Sequence, residues 1–211
     1  MGGAIVTLLA QGHEVTICDL TNGEPTPRGS PERRAEEAAA AARILGVARR
    51  ITLPLPNREL TDTVENRRVV AEVIRDVRPE LLFVPYWVDA HPDHVAGAAL
   101  VEAARFYAKL TKTTMRGEPH YPRRVYHFLT THYDLYVRPS FILDISAAFE
   151  RKLEAVGAYT SQFGTDRPGE YDMEDWLRRA NAYWGFLIGT RYGEPFVCRE
   201  EVGLSRLDAL L

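Results

Sequence analysis

At 211 residues, 45% hydrophobic and 26% charged, the chain is sized and composed for one α/β domain with a substantial core. Its net charge of −3 offers no global attraction to nucleic acid or to an anionic membrane, which leaves a small molecule as the expected partner. Cys18 and Cys198 form neither a disulfide framework nor a CxxC metal site, and the apolar run at residues 4–10 is too short to span a bilayer and lacks a basic flank. A cytoplasmic protein with reduced thiols and no signal peptide is therefore expected.

In chain order, Gly2-Gly3 followed by Ala4, Ile5, Leu8 and Leu9 predicts a short helix stopped at Gln11-Gly12. Residues 13–20 read as a strand, and residues 21–29 as a polar loop with two prolines. Ser30-Pro31-Glu32 opens a helix with a capping hydroxyl, a proline at the first position and an acid in the first turn; it runs through the alanine-rich stretch to Leu45 and stops at Gly46. Residues 51–55 predict a strand that leads into Pro56-Asn57. Asp62-Thr63 opens a helix with Val69, Val70, Val73, Ile74 and Val77 on one face. Leu81-Leu82-Phe83-Val84-Pro85 is a buried strand, and a helix follows from residues 95 to 110. Residues 125–130 and 141–145 predict strands flanking a Tyr/His-rich loop, and residues 147–160 and 172–188 predict helices. This alternation implies a Rossmann-like, mostly parallel sheet with helices on both faces.

Between the strand at 81–85 and its following helix stands His91-Pro92-Asp93-His94. In an open parallel sheet such a loop lies at the carboxyl end of a strand, where ligands bind. Two imidazoles and a carboxylate can supply a metal ligand, a proton carrier and an orienting group. His94, at the helix start, is the metal candidate, because neutral imidazole is a good zinc ligand. His91 can hydrogen-bond a carbonyl or a leaving group. Asp93 can orient His91 or simply cap the helix, and Asp89 is an alternative partner. Arg34, beside the Asn22-Gly23-Glu24 loop, is either an anion clamp or part of a solvated helix face with Arg33, Glu36 and Glu37. Asn57 can line the pocket. Tyr133, with His132, Asp134 and Tyr136 around it, can cover the site or decorate a loop. His13, His120 and His127 read as structural or exposed, and Glu194 as a solvated turn residue.

Taken together, Gly2-Gly3, Asp19-Leu20-Thr21-Asn22-Gly23-Glu24, Arg34 with Glu36-Glu37-Ala38, Arg43-Ile44-Leu45-Gly46, the HPDH loop, Tyr159-Thr160-Ser161-Gln162-Phe163, Tyr183-Trp184-Gly185 and Tyr192-Gly193-Glu194-Pro195-Phe196 resemble the PIG-L/LmbE-like deacetylase family over nearly the whole chain. The likeness is strongest to the bacillithiol-biosynthesis type, which removes acetyl from an N-acetylglucosaminyl malate. The resemblance implies a zinc-dependent hydrolase of an N-acetylglucosamine conjugate or similar N-acyl compound. It further implies a homo-oligomer, with His94 as zinc ligand, His91 as acid or oxyanion stabiliser, Asp93 orienting it, and Arg34 on the substrate. The family's other two zinc ligands and its general base come from an AHPDD-type motif after the first strand. That motif does not occur here, and the chain begins where it should just have ended. The expectation is therefore a single domain over residues 1–211 that lacks the family's first, mid-sheet strand. Its Zn2+ ligand set would be incomplete, and this chain would be inactive as given. The alternative is a sugar-binding or assembly subunit without catalysis.

Overall fold

The computed structural model describes residues 1–25, 28–133, 135, 137–163 and 172–203. In chain order the elements are α1 (Gly2–Ala10), β1 (Thr16–Asp19), α2 (Pro31–Leu45), β2 (Arg49–Thr52), α3 (Val64–Val77), β3 (Leu81–Pro85) and α4 (Pro92–Ala108). They continue with β4 (Arg124–Phe128), β5 (Phe141–Asp144), α5 (Phe149–Gly157), α6 (Thr160–Phe163), α7 (Met173–Leu187) and β6 (Gly193–Val197).

Local chemistry sets most boundaries as expected. The Ser30 hydroxyl accepts from the Arg33 N–H at 3.3 Å to start α2, and Gly46, at φ +85°, ends it in the left-handed conformation that glycine adopts at least cost. Thr63 caps α3 in the same way. The β2 strand is shifted earlier than its apolar run suggests. Pro54 and Pro56 carry no N–H for a ladder, so pairing stops at Thr52. The helix expected at 147–160 breaks at Gly157 into α5 and α6, and α6 is tied to α2 by the buried Glu37, which accepts from Ser161 N–H at 2.7 Å.

The strands form two groups. β1 and β2 pair in parallel, and β3 and β4 pair in parallel. β6 then lies antiparallel between β4 and β5, giving the order β3-β4-β6-β5. The antiparallel end was not anticipated, because Gly193 and Pro195 disguise a strand as a turn. Among the described residues, the edge of β1 away from β2 and the edge of β3 away from β4 have no strand partner.

Two helical layers flank the β1-β2 pair. Ile17 packs into a core with Ile5, Ala41, Ala42 and Leu45 from α1 and α2. Leu20 packs into a second core with Val70, Ile74, Leu100 and Ala104 from α3 and α4. An odd spacing along a strand points side chains to opposite faces, so the two cores lie on either side. At the other end, α7 crosses β6 backbone to backbone. A Cβ on Gly185 would stand 2.6 Å from Tyr192 N, and one on Gly193 would stand 2.9 Å from the Trp184 carbonyl carbon. That close approach is the physical content of the Trp184-Gly185 and Tyr192-Gly193 pairs.

Candidate metal centre at the carboxyl ends of β3 and β4

The parallel strands β3 and β4 deliver two loops to one place. Tyr86 N–H still donates to Phe128 O at 2.9 Å, and the chains then diverge. The loop after β3 carries Asp89 into the N-terminus of α4; the loop after β4 carries Thr130 and His132.

His91 is the N-cap of α4. Its Nδ1 accepts from the Asp93 N–H at 3.2 Å, so a neutral His91 holds its proton on Nε2 and presents that nitrogen as a donor. Asp93 is buried, and its carboxylate accepts from the Arg58 and Leu60 N–H groups at 2.5 and 3.3 Å. It therefore neither caps α4 through its side chain nor holds the His91 ring. It pins the loop after β2, where Arg58 sits at φ +67°, a conformation costly for a non-glycine residue.

Asp89 takes the orienting position instead. Its side chain is fully buried. One oxygen accepts from His91 N–H at 2.7 Å; the other meets His94 Nδ1 at 2.9 Å and accepts from the Thr130 hydroxyl. Burial alone would push this carboxyl up, but the Thr130, His91 and His94 contacts hold it below the usual carboxylate range. With Asp89 accepting at Nδ1, His94 keeps a lone pair on Nε2, the arrangement in which metal-bound histidines are held. The His91 and His94 rings stack with centroids 4.7 Å apart, and His132 lies 5.7 and 5.2 Å from them.

Asp89, His94 and His132 each offer a ligand atom, all within 4.8 Å of one another. The sequence reading names His94 alone as a metal ligand, and two neighbours here also offer ligand atoms. An aspartate five residues upstream and a histidine from the neighbouring strand end join it. Proximity in sequence was the available sign for Asp89. For His132 the sign was its Tyr/His-rich loop after a strand, which could cover the site, and the parallel pairing of β3 with β4 brings that loop to His94.

Asn57 accepts from the Thr21 hydroxyl at 3.3 Å and, with Asn22, Glu24, Thr52, Pro54 and Pro56, lines a cavity of about 530 Å³ beyond the ends of β1 and β2. The Asp93 bonds to Arg58 and Leu60 join this wall to α4. Arg34 is half-buried, with its guanidinium 5.5 Å from the Tyr159 ring centroid and its Nη2 3.1 Å from where a Cβ on Gly23 would stand. Tyr133 is exposed beside His132. Asp134 and Tyr136 lie outside the described residues. Glu194 is a correction: it is buried, and its carboxylate accepts from the Gly3 and Ala4 N–H groups and lies 2.7 Å from Lys152 Nζ.

Comparison with known proteins follows the same lines. Residues 1–105 match the PIG-L family, described as GlcNAc-PI de-N-acetylase. The diacetylchitobiose deacetylase of Thermococcus kodakarensis is 33% identical in an alignment of 210 residues that takes in 92% of this chain and 75% of that protein. The crystal structure of the conserved protein TT1542 from Thermus thermophilus superposes with a TM-score of 0.88 at 36% identity, covering 96% of this chain and 89% of the other. The N,N'-diacetylchitobiose deacetylase from Pyrococcus horikoshii, complexed with its inhibitor MPG, gives 0.78 at 28% identity, covering 93% and 76%.

Proposed function

The chain belongs to the PIG-L family of de-N-acetylases, and on that premise we propose that it removes the acetyl group from an N-acetylglucosamine conjugate with the help of a zinc ion held by His94 and His132, with Asp89 behind His94 to orient it. The observation that carries this reading is the convergence of those three side chains at the carboxyl ends of β3 and β4. The donor chemistry suits the ion: two imidazoles can bind zinc, the buried Asp89 carboxylate fixes one of them from behind, and positions stay open for water and substrate. Zinc bound there supplies Lewis acidity toward the acetamide carbonyl and toward water.

The chain's own residues do the rest. Asp89 fixes the His94 ring so that Nε2 is the nitrogen offered for binding. His91, with its Nε2–H left as a donor, stabilises the oxyanion that develops on the acetamide. Asp93 acts through the backbone, holding the wall that carries Asn57 against the start of α4. Asn57 and Tyr133 bind the sugar, and Arg34 pairs with an anionic part of the conjugate; in support, no carboxylate among the described residues pairs with Arg34.

Attack by water also calls for a general base. Asp89 is engaged by three groups and Asp93 by two backbone N–H groups, so among the described residues no uncommitted carboxylate joins the cluster. Slow turnover follows for these 211 residues. We place the protein in the cytoplasm as a homo-oligomer. No helix among the described residues is long and apolar enough to cross a membrane, and the exposed Tyr183, Phe186 and Leu187 at the end of α7 support self-association.

The test is a zinc titration together with an assay of acetate release from N-acetylglucosamine conjugates, on the wild type and on His94→Ala. Zinc-dependent release abolished in the variant is expected. Saturable sugar binding with no acetate release at any zinc concentration would reject the enzyme reading in favour of a binding subunit.

A further inference from the structure

The loop at residues 86–90 that carries Asp89 is held from a second side, away from the histidines. Trp87 meets the fully buried His127 ring edge-on, with centroids 4.6 Å apart. Over the Trp87 ring lies the Arg199 guanidinium, 3.9 Å from its centroid. Arg199 belongs to the segment after β6, and its Nε donates to Glu102 Oε1 at 2.9 Å. Glu102 stands on α4 eight residues after His94, about 12 Å along the helix axis.

His127 fills the space between these parts. Its Nδ1 lies 2.9 Å from Pro85 O, at the end of β3. Its Nε2 lies 2.9 Å from Glu102 Oε1. Glu102, His127 and Arg199 line a cavity of about 220 Å³. The contacts close a circuit. Glu102 on α4 holds Arg199; Arg199 covers Trp87; the Trp87 loop carries Asp89; and Asp89 returns to His94 at the start of the same helix. Val88 is exposed, and the loop meets β4 and the β6 extension through Trp87 and α4 through Asp89.

We propose that Arg199 is a positioning residue: by clamping Trp87 against His127 it fixes the 86–90 loop, so that Asp89 keeps His94 in the tautomer that carries its proton on Nδ1. The inference rests on the metal-assisted reading of the site, and its first test does not depend on acetate release. An arginine suits the task because its planar cation stacks on an indole face while an N–H reaches a carboxylate in the same pose. Loosening the clamp leaves every group of the centre in place and changes how firmly His94 is held, which is the property that tunes affinity in outer-sphere carboxylate–histidine pairs.

The experiment compares wild type, Arg199→Ala and Arg199→Lys in the full 211-residue chain. The ring nitrogens of His94 are followed by nitrogen NMR on zinc-free protein, and zinc affinity is measured by competition with a chelator. In Arg199→Ala the His94 signals should move from a single tautomer toward a mixture, and zinc affinity should fall about fivefold. Where turnover is measurable, kcat should fall by a similar factor with KM changed less than twofold. Arg199→Lys should recover only a minor part of each effect, since an ammonium can pair with Glu102 but has no plane to stack on Trp87. Unchanged His94 signals and zinc affinity within twofold in Arg199→Ala would overturn the proposal, also if the melting temperature drops, because that pattern belongs to a residue that merely holds the fold. Absence of acetate release by the wild type would reject the deacetylase reading and leave the His94 signals to decide the clamp.

Discussion

Asp89 and Glu194 are both buried carboxylates beside a helix N-terminus, and they differ in where their networks end. Glu194 bonds the first N–H groups of α1 and the Lys152 ammonium, Lys152 donates to Asn181, and Asn181 donates to the Leu177 carbonyl inside α7. Every member is buried and every step terminates in protein. Asp89 begins in the same way, fully buried with three partners, but one of them is the part-exposed His94, which leads on to the exposed His132. The first network is closed and structural, whereas the second opens on solvent with lone pairs to spare. Burial and ionisation alone do not separate a site from a staple; the place where the hydrogen bonds run out does.

Glu194→Gln should break the closed network at its centre. Leaving Lys152 buried without its counter-charge costs about 3–5 kcal/mol, read as a lower denaturation midpoint, while zinc affinity of the folded protein stays within twofold of wild type. A comparable loss of affinity would show that the two networks are coupled.

Acid should do the same work without mutation. Burial would push the Glu194 carboxyl up; the Lys152 and chain-start ammonium groups and the Lys152 and Ala4 hydrogen bonds hold it at about 2 instead of 4.5. Because the folded-state value is the lower one, its contribution is complete above pH of about 4.5 and is lost as pH falls toward 2. That contribution is about 3 kcal/mol. Denaturant midpoints measured across this window should show the loss in wild type, and Glu194→Gln should flatten it.

Asp89→Asn should invert the pattern. Zinc affinity falls about 10–100-fold, as expected when the carboxylate is taken from a metal-site histidine, with a smaller stability loss than in Glu194→Gln. Chelator competition and thermal melts on the same samples compare the two. Further out, Arg34→Ala should reduce kcat/KM about tenfold for an anionic conjugate and much less for neutral N-acetylglucosamine, as loss of one charge-assisted contact requires. Equal losses on both substrates would assign Arg34 to the fold. The smallest effect belongs to Tyr133→Phe: the exposed hydroxyl can affect sugar binding by about twofold, with no change in melting temperature.

What the sequence determined by itself is local. Ser30-Pro31 and Gly46 delimit α2 because capping oxygens, a fixed φ and a left-handed turn are properties of those residues wherever they occur. The HPDH loop announces itself because strand, loop and helix start follow within a dozen residues, and the family likeness rests on such local strings. The tertiary structure decided what depends on distance in space. Gly193 and Pro195 argue against a strand until β4 and β5 bracket them. Glu194 reads as a solvated turn residue until α1 and Lys152 close around it, more than 40 residues away in sequence. His132 has no local partner until the parallel register of β3 and β4 sets its loop beside His94. Asp93 and Asp89 look interchangeable as helpers of His91, yet one turns toward the Arg58 loop and the other toward His94. A hydrogen bond depends on position to within a few tenths of an ångström, and only the packing of whole elements fixes position that finely.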